Sequence, residues 1–308
     1  MPIRSVKKTT KNNYDFHRLL FKKISKRQLI ERVEIANSMI EAEGDPEAIF
    51  DAIDEVILFA FHNGSRVGAF SGDHGVLCKD SKIYRIRGLN SFDEFYSEKD
   101  FWAPGSEYVK KAGRLNFAGE SLLYCSENPL VAMDEAGVES GGLFLLMAYG
   151  VYEDIQLNSI GDSSMSPKDF RGKLSLITDF LEQNFYRNES SYYFISNYIS
   201  KRFLDFSHGG FSYKSVKNKT AFNFCLNKNG FDKLRLINAF GCRRNGDVFG
   251  SIGRCLKEED RYRFEGYACA DDLSRDEKLM KNWKSDSSSE RLLSNKSDDL
   301  VVKVVLPR

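Results

Sequence analysis

The first hydrophobic pattern in the chain is helical and covers residues 15 to 61. Apolar side chains recur at near-helical spacing at Phe16, Leu19, Leu20, Leu29, Val33, Ala36, Met39 and Ile40. Gly44 and Asp45 interrupt the pattern. Pro46 then stands where a second helix would begin, and an apolar run follows it from 48 to 61. The pattern predicts a small helical hairpin or bundle.

A cluster of turn residues between 63 and 75 follows these helices and predicts a domain boundary, with a new domain starting near Val76. Beyond it, strand-like and helix-like patterns alternate irregularly. The predicted order is a strand at 83 to 86, a strand at 122 to 126, a helix at 129 to 137, a strand at 143 to 151, two helices within 170 to 206, and strands at 211 to 215 and 221 to 227. Such interleaving favours a mixed α+β fold over a doubly wound parallel sheet.

The chain becomes polar beyond about residue 236. Residues 284 to 299 have few apolar side chains and are expected to be mobile, whereas VVKVV at 301 to 305 has the composition of a strand that docks on a sheet edge. We therefore predict a helical N-terminal region at 1–76, a main domain at 77–235, and a polar, partly mobile C-terminal extension at 236–308.

Charge and composition exclude several classes of function. The 45 basic and 44 acidic side chains leave a formal charge of +1, which argues against a general binder of polyphosphates or membrane surfaces. No run has the length of a membrane helix, and the basic N-terminus lacks the apolar core of a signal peptide. The six cysteines are dispersed and the four histidines are single. We expect a cytoplasmic protein with reduced thiols, no metal site and no nucleic-acid or membrane partner.

Short segments rich in arginine, tyrosine and polar residues recur along the main domain. They are Tyr84-Arg85, FWAP at 101 to 104, GRLNFAG at 113 to 119, LLY at 122 to 124, Ala132 with Glu135, YYFISNYISKRF at 192 to 203, GGFSYKS at 209 to 215, and NFCL at 223 to 226. Their order and spacing resemble the RES family, which is named after an arginine, a glutamate and a serine. The series in one order carries the resemblance, since no single tetrapeptide is decisive.

This resemblance implies a fold and an activity. The expected fold is an α+β, ADP-ribosyltransferase-like mixed sheet with flanking helices, preceded by a small helical N-terminal domain. The expected activity is cleavage of NAD at the nicotinamide–ribose bond, with NAD as substrate and no prosthetic group. Many family members are bacterial toxins paired with an antitoxin, so a protein antitoxin or regulator is the expected partner.

The resemblance also assigns site residues. Glu135, Arg114 and Tyr124 match catalytic positions, and Arg85, Arg114, Tyr124, Ser215 and Asn223 match positions that bind NAD. The residue types suit the chemistry, because a carboxylate stabilises the positive charge that develops on the departing ribose and forked guanidinium groups bind pyrophosphate. Tyr124 would stack on the nicotinamide or line its pocket. Ser215 would hydrogen-bond ribose or nicotinamide, and Asn223 would bond a backbone group or a neighbouring site residue.

Each of these residues also has an ordinary structural interpretation. Arg85 and Arg114 could pair with surface acids, Tyr124 could be a core residue, and Ser215 could cap a turn. Asp134 is a second acid beside Glu135. Two other functions stay open beside hydrolysis: transfer of ADP-ribose to a protein, and an inactive NAD-binding or scaffold module. The sequence does not identify the group that accepts ADP-ribose, nor the role of residues 1 to 76. The oligomeric state is also open, and a homo-oligomer is one alternative.

Overall fold

The computed structural model describes residues 3–5, 21–60, 66–68, 73–160, 172–187, 189–203 and 208–267. The start of the first predicted helix, the expected mobile segment at 284 to 299 and the expected strand at 301 to 305 lie outside these residues.

The described residues include six α-helices, fourteen strands and three short 3-10 helices, at Glu98–Phe101, Ser106–Tyr108 and Ser190–Tyr192. The helices are α1 Lys26–Glu41, α2 Pro46–Ile57, α3 Pro129–Glu135, α4 Lys173–Phe185, α5 Tyr193–Phe203 and α6 Lys228–Phe231. The strands are β1 Ile3–Ser5, β2 Leu58–Ala60, β3 Arg66–Gly68, β4 Asp73–Leu77, β5 Lys82–Leu89, β6 Phe95–Ser97, β7 Leu123–Ser126, β8 Leu143–Val151, β9 Ile155–Ile160, β10 Gly210–Lys214, β11 Phe222–Leu226, β12 Leu234–Asn245, β13 Val248–Glu258 and β14 Arg261–Gly266.

Twelve of the strands form one sheet, in the order β1-β4-β9-β10-β11-β7-β5-β8-β12-β13-β14-β6. The sheet is mixed, because β9 and β10 run parallel while the other neighbours are antiparallel. Separate apolar clusters cover its two faces, since successive side chains of a strand point in opposite directions. The predicted α+β class, with a mixed sheet and flanking helices, is confirmed.

The elements predicted from strong apolar patterns are confirmed. They include α3, α4, α5 and the strands β5, β7, β8, β10 and β11. The second helix begins where the sequence predicts: Pro46 occupies the first turn of α2, and the Asp45 side chain caps the helix by accepting a hydrogen bond from the backbone NH of Ala48. The second helix ends at Ile57, because residues 58 to 60 pair as a strand with β3.

The N-terminal helices share a hydrophobic core with α4 and α5. Leu29 and Ile53 belong to the same buried cluster as Ile177, Phe180 and Ile195. A salt bridge of 3.1 Å between Asp54 and Arg202 also joins α2 to α5. Packing is therefore continuous across the boundary that the sequence places near residue 76, and the division into domains stays a prediction.

Residues 236 to 266 lie largely in the main sheet. Strands β12, β13 and β14 form consecutive antiparallel pairs, and β12 pairs with β8 along most of its length. This segment is polar because one side of its strands faces solvent. In β14, for example, a buried position is flanked by exposed ones. Residues 73 to 75, the end of the predicted turn cluster, similarly belong to β4, which pairs with β9.

Candidate functional site

The site lies where two central strands separate. β5 and β7 pair only at Tyr84 and Ser126, whereas β5 pairs with β8 over its full length. Residues on both strands beyond this pair line a cavity of about 420 Å³. A volume of this size is within the range of small-molecule sites, roughly 300 to 1,000 Å³. The lining residues from these strands are Tyr84, Arg85, Ile86, Tyr124, Cys125 and Ser126.

Glu135 lines this cavity from the end of α3. The helix starts with Pro129 in its first turn, and the Asn128 side chain caps it. A carboxylate in the last turn is opposed by the helix dipole, so local structure does not favour an acid at this position. Contacts from elsewhere in the fold must therefore hold the Glu135 side chain.

Three donors from the β10–β11 hairpin hold one oxygen of Glu135. Its Oε1 atom accepts hydrogen bonds from Ser215 Oγ at 2.5 Å, Asn223 Nδ2 at 2.9 Å and the backbone NH of Val216 at 3.1 Å. Within the described residues, Oε2 takes part in no hydrogen bond and Glu135 forms no ion pair. The carboxylate is thus fixed through one oxygen, and the other is available to a ligand.

The Ser215 hydroxyl forms hydrogen bonds both within the loop of the β10–β11 hairpin and to Glu135. It donates to Glu135 and accepts from the backbone NH groups of Lys217 at 3.1 Å and Asn218 at 3.0 Å. One donor and two acceptor sites are all that a hydroxyl offers. Ser215 is also absent from the residues that line the cavity. Its predicted contact with ribose or nicotinamide stays a prediction, and in this structure its hydroxyl positions Glu135.

Arg114 reaches the cavity from the loop before β7. The side chain is only 8% exposed. Its Nη1 atom donates to the carbonyl oxygens of Phe185 and Arg187 at the C-terminal end of α4, and the guanidinium lies 5.3 Å from the Tyr193 ring centre. Arg114 has no acidic partner in the described ranges. The carbonyl groups hold one side of the guanidinium while its positive charge remains unpaired.

The backbone around Arg114 is fixed by side chains of α5. Ser196 Oγ donates to the Arg114 carbonyl at 2.7 Å, and Asn197 Nδ2 donates to the Gly113 carbonyl at 2.7 Å. Both side chains are fully buried. Gly113 has no room for a side chain, since a Cβ atom there would lie 2.4 Å from Asn116 Oδ1. These contacts join the segments GRLN and ISN in the folded chain.

The Tyr124 hydroxyl also forms hydrogen bonds with the loop that carries Arg114. It accepts from the backbone NH of Leu115 at 3.1 Å and donates to Asn116 Oδ1 at 2.8 Å. Burial raises the pKa of Tyr124 well above its ordinary value, so the hydroxyl stays protonated and can donate. The Tyr124 ring lines the cavity while its hydroxyl is used inside the protein.

We expect Tyr124→Phe to lower the free energy of unfolding by about 1 to 3 kcal/mol, because it leaves a buried amide oxygen and a backbone NH without their partner. Urea denaturation measures this change. Tyr108→Phe is the matched control, since Tyr108 is 74% exposed and should leave the stability unchanged. Equal stability of the Tyr124→Phe variant and the wild type would contradict the assigned hydrogen bonds.

Arg85 brings a second cation to the cavity from β5. Burial raises the pKa of Cys125 to about 12 and also raises the pKa of Tyr149, and the Arg85 guanidinium opposes both shifts. Arg85 therefore lies beside these two side chains. Its Nη1 atom is buried without a hydrogen-bond partner among the described residues. A buried guanidinium nitrogen normally has an acceptor, so Nη1 is an unsatisfied donor enclosed by the protein, while other atoms of Arg85 line the cavity and bring its positive charge to it.

The structure brings Arg85, Arg114, Tyr124, Asn223 and Glu135 to one cavity. This arrangement can be compared with the ordinary interpretation of the two arginines, in which each pairs with a surface acid. In the described part of the chain neither arginine pairs with an acid, whereas Asp134 forms a salt bridge of 2.9 Å with Arg244 and does not line the cavity. Glu120, the other acid in the lining, pairs with Lys201 at 2.5 Å. Glu135 is thus the acid in the described lining that lacks a cation.

The likeness of this chain to known proteins is low. No protein-family model and no curated protein match it. One structural match is a chain in the crystal structure of the M. tuberculosis MbcT-MbcA toxin-antitoxin complex. It shares 11% identity, the match covers 62% of this chain and 90% of that one, and the TM-score is 0.31. At these values the likeness does not establish a shared fold.

Several residues of the site are not evident from sequence alone. Asn116, Ser196 and Asn197 position the Arg114 loop, and Tyr193 and Tyr213 line the cavity. All five stand inside the segments GRLNFAG, YYFISNYISKRF and GGFSYKS, so their presence there was the available signal. Within the described ranges, no group of three or more His, Cys, Asp or Glu side chains could hold a metal ion, and no helix is long and apolar enough to cross a membrane.

Proposed function

We propose that this protein cleaves the nicotinamide–ribose bond of NAD, with water as the first choice of acceptor. The observation that carries the proposal is the single cavity that holds two unpaired arginines and a carboxylate fixed through one oxygen. Two cations suit the pyrophosphate, and a carboxylate suits the ribose that becomes positively charged. The expected consequence is NAD depletion and growth arrest, as in a toxin.

The order of the motif segments supports this proposal independently of any single residue. Segments that are separated by up to about 140 positions in the sequence converge on the cavity. Each of them supplies at least one lining residue: Arg85, Pro104, Arg114, Tyr124, Glu135, Tyr193, Tyr213 and Asn223. A resemblance that arose by accident would not be expected to mark residues that meet in space.

The reaction needs little acid–base assistance. Nicotinamide leaves from a cationic nitrogen, and the electron pair of the broken C–N bond neutralises that charge. The ribose carbon becomes an oxocarbenium ion, which a water molecule captures with release of a proton. Glu135 would stabilise this cation more strongly than it stabilises the neutral ribose, which is the condition for catalysis. Arg85 and Arg114 would hold the pyrophosphate and so fix the ribose against the carboxylate.

The test is a product assay on purified protein with NAD, with and without phosphate. We expect nicotinamide and ADP-ribose in a one-to-one ratio. Phosphate-dependent formation of a phosphorylated ADP-ribose would identify phosphate as the acceptor. Absence of nicotinamide release under both conditions, with NAD binding intact, would contradict an NAD-cleaving enzyme and support the alternative of an inactive binding or scaffold module.

Transfer of ADP-ribose to a protein is the remaining alternative. Labelled NAD added to a cell lysate separates the two reactions, because transfer puts the label on a discrete protein band and hydrolysis leaves it in soluble ADP-ribose. A protein antitoxin or regulator remains the proposed partner, on the resemblance of the sequence segments. The proposed setting is the cytoplasm, where NAD is available.

A further inference from the structure

Tyr213 lies on β10 beside the residues that hold Glu135. It pairs with Asn223 on β11, and Ser215 follows two positions later. Gly210 allows the two strands to approach, since its φ is 141° and a Cβ atom there would lie 2.1 Å from the carbonyl oxygen of Cys225. Tyr213, on this hairpin, is one of the residues that line the cavity.

The Tyr213 ring is held firmly. The residue is 5% exposed, and its ring packs edge-on against Phe185 with 5.7 Å between the ring centres. Phe185 also contacts the Arg114 guanidinium, which lies 5.7 Å from its ring centre. A ring held on these sides leaves its hydroxyl little freedom, so the direction in which the hydroxyl points is set by the fold.

The Tyr213 hydroxyl has no hydrogen-bond partner among the described residues, and it is not one of the fully enclosed polar atoms. Other tyrosines near the site behave differently. The Tyr124 hydroxyl donates to Asn116, that of Tyr149 donates to the Phe101 carbonyl, and that of Tyr186 accepts from the Lys214 NH. A buried tyrosine hydroxyl normally finds a partner. A hydroxyl without one, at a cavity wall, is suited to a ligand.

The charges around Tyr213 indicate which part of a ligand it would meet. Burial raises the pKa of Tyr213 well above its ordinary value; Cys225 and the negative charge of Glu135 raise it further, and the Arg114 guanidinium opposes them. Contacts place Tyr213 near both groups, because its strand partner Asn223 donates to Glu135 and the Phe185 ring packs against both Tyr213 and the Arg114 guanidinium. The raised pKa keeps the hydroxyl protonated. A ligand with its ribose at Glu135 and its pyrophosphate at Arg114 would therefore bring the ribose next to Tyr213, which lines the same cavity.

We propose that the Tyr213 hydroxyl binds an oxygen of the ribose next to the scissile bond, an inference that rests on the proposed cleavage of NAD. Tyr213 is then a further substrate-binding residue. It would help to fix the sugar against Glu135, and it would contribute to binding of any ligand that carries this ribose. It would not contribute to the binding of AMP, which ends at the phosphate next to adenosine and lacks this ribose.

The test is calorimetric titration of wild type and Tyr213→Phe with ADP-ribose, which carries this ribose, and with AMP, which lacks it. We expect ADP-ribose to bind about five- to tenfold more weakly to the variant, as for the loss of one neutral hydrogen bond, and AMP to bind equally to both. The melting temperature should be unchanged because no internal hydrogen bond is lost. Tyr186→Phe is the matched control, since its hydroxyl bonds the backbone, and its affinity for ADP-ribose should be that of the wild type.

Equal affinity of wild type and Tyr213→Phe for ADP-ribose would overturn the role of Tyr213 while nicotinamide release by the wild type still supports the proposed function. An equal loss of affinity for AMP and ADP-ribose would also overturn it, because the contact would then lie on the adenosine half. If the wild type neither binds ADP-ribose nor releases nicotinamide, the proposed function and the role of Tyr213 are both wrong.

Discussion

Replacement of Glu135 by glutamine is expected to slow nicotinamide release about 100- to 1,000-fold. Glutamine has the same shape, and its amide oxygen can accept the hydrogen bonds that Ser215, Asn223 and the Val216 NH donate to Oε1. The fold should therefore be kept. Glutamine has no negative charge, so the developing oxocarbenium ion loses its stabilisation. The measurement is the initial rate of nicotinamide release at saturating NAD.

Asp134→Asn is the matched control for this variant. Asp134 is the neighbouring residue, with a side chain 43% exposed and paired with Arg244 rather than facing the cavity. The control removes one negative charge one residue away, so it tests whether general loss of charge near α3 affects the rate. We expect wild-type turnover. A wild-type rate for Glu135→Gln, or an equal loss for Asp134→Asn, would contradict the assignment of Glu135.

The elements with dense apolar patterns were predictable from sequence, and those with solvated faces were not. β8 has eight consecutive buried residues, from Phe144 to Val151, so its pattern reads as a buried strand. β13 has exposed or half-buried residues at most positions, including Arg254 and Lys257, and its sequence resembles a loop. Pairing of its backbone with β12 and β14 decides its conformation. Long-range pairing of this kind leaves no local signal in one sequence.

For the candidate site, the residues with charged side chains could be proposed from the sequence, whereas the residues that position them could not. Arg85 and Glu135 could be proposed from the order of the sequence segments in which they stand, although each of them alone has an ordinary structural interpretation. Ser196 and Asn197 could not, because a polar residue in an amphipathic helix is expected on its solvated face. Both are instead buried, where they donate hydrogen bonds to carbonyl groups of the Arg114 loop. Only the packing of α5 against that loop reveals this role.

The same helix connects the N-terminal region to the site. Asp54 on α2 accepts a hydrogen bond from the Tyr198 hydroxyl at 2.7 Å and pairs with Arg202, and both partners belong to α5. Removal of residues 1 to 76 would expose the core shared with α4 and α5 and would take β4 from the sheet. Truncation would therefore disturb folding as well as any control of activity. Whether this region controls activity is better tested by point substitutions at Asp54.

Arg85→Gln is expected to raise the KM for NAD about 10- to 100-fold, the usual effect of losing a hydrogen bond between a charged donor and a phosphate. The stability of the protein should change little, because removal of the unsatisfied Nη1 donor offsets the loss of the Arg85 contact with Tyr149. Glutamine keeps a polar side chain of similar reach but has no charge. The measurement is the dependence of nicotinamide release on NAD concentration, together with urea denaturation of both proteins.

Arg87→Gln is the control, since Arg87 lies two positions along the same strand and forms a salt bridge of 2.7 Å with Asp100 instead of lining the cavity. Burial raises the pKa of Asp100, but hydrogen bonds from Arg87 and Ser97 outweigh it and lower the pKa overall. Loss of Arg87 should therefore raise the pKa of Asp100 and leave the KM unchanged. An unchanged KM for Arg85→Gln, or an equal rise for Arg87→Gln, would show that the pyrophosphate does not bind at Arg85. The two cations of the cavity would then need another explanation, because an unpaired buried guanidinium destabilises a fold unless a ligand offsets it.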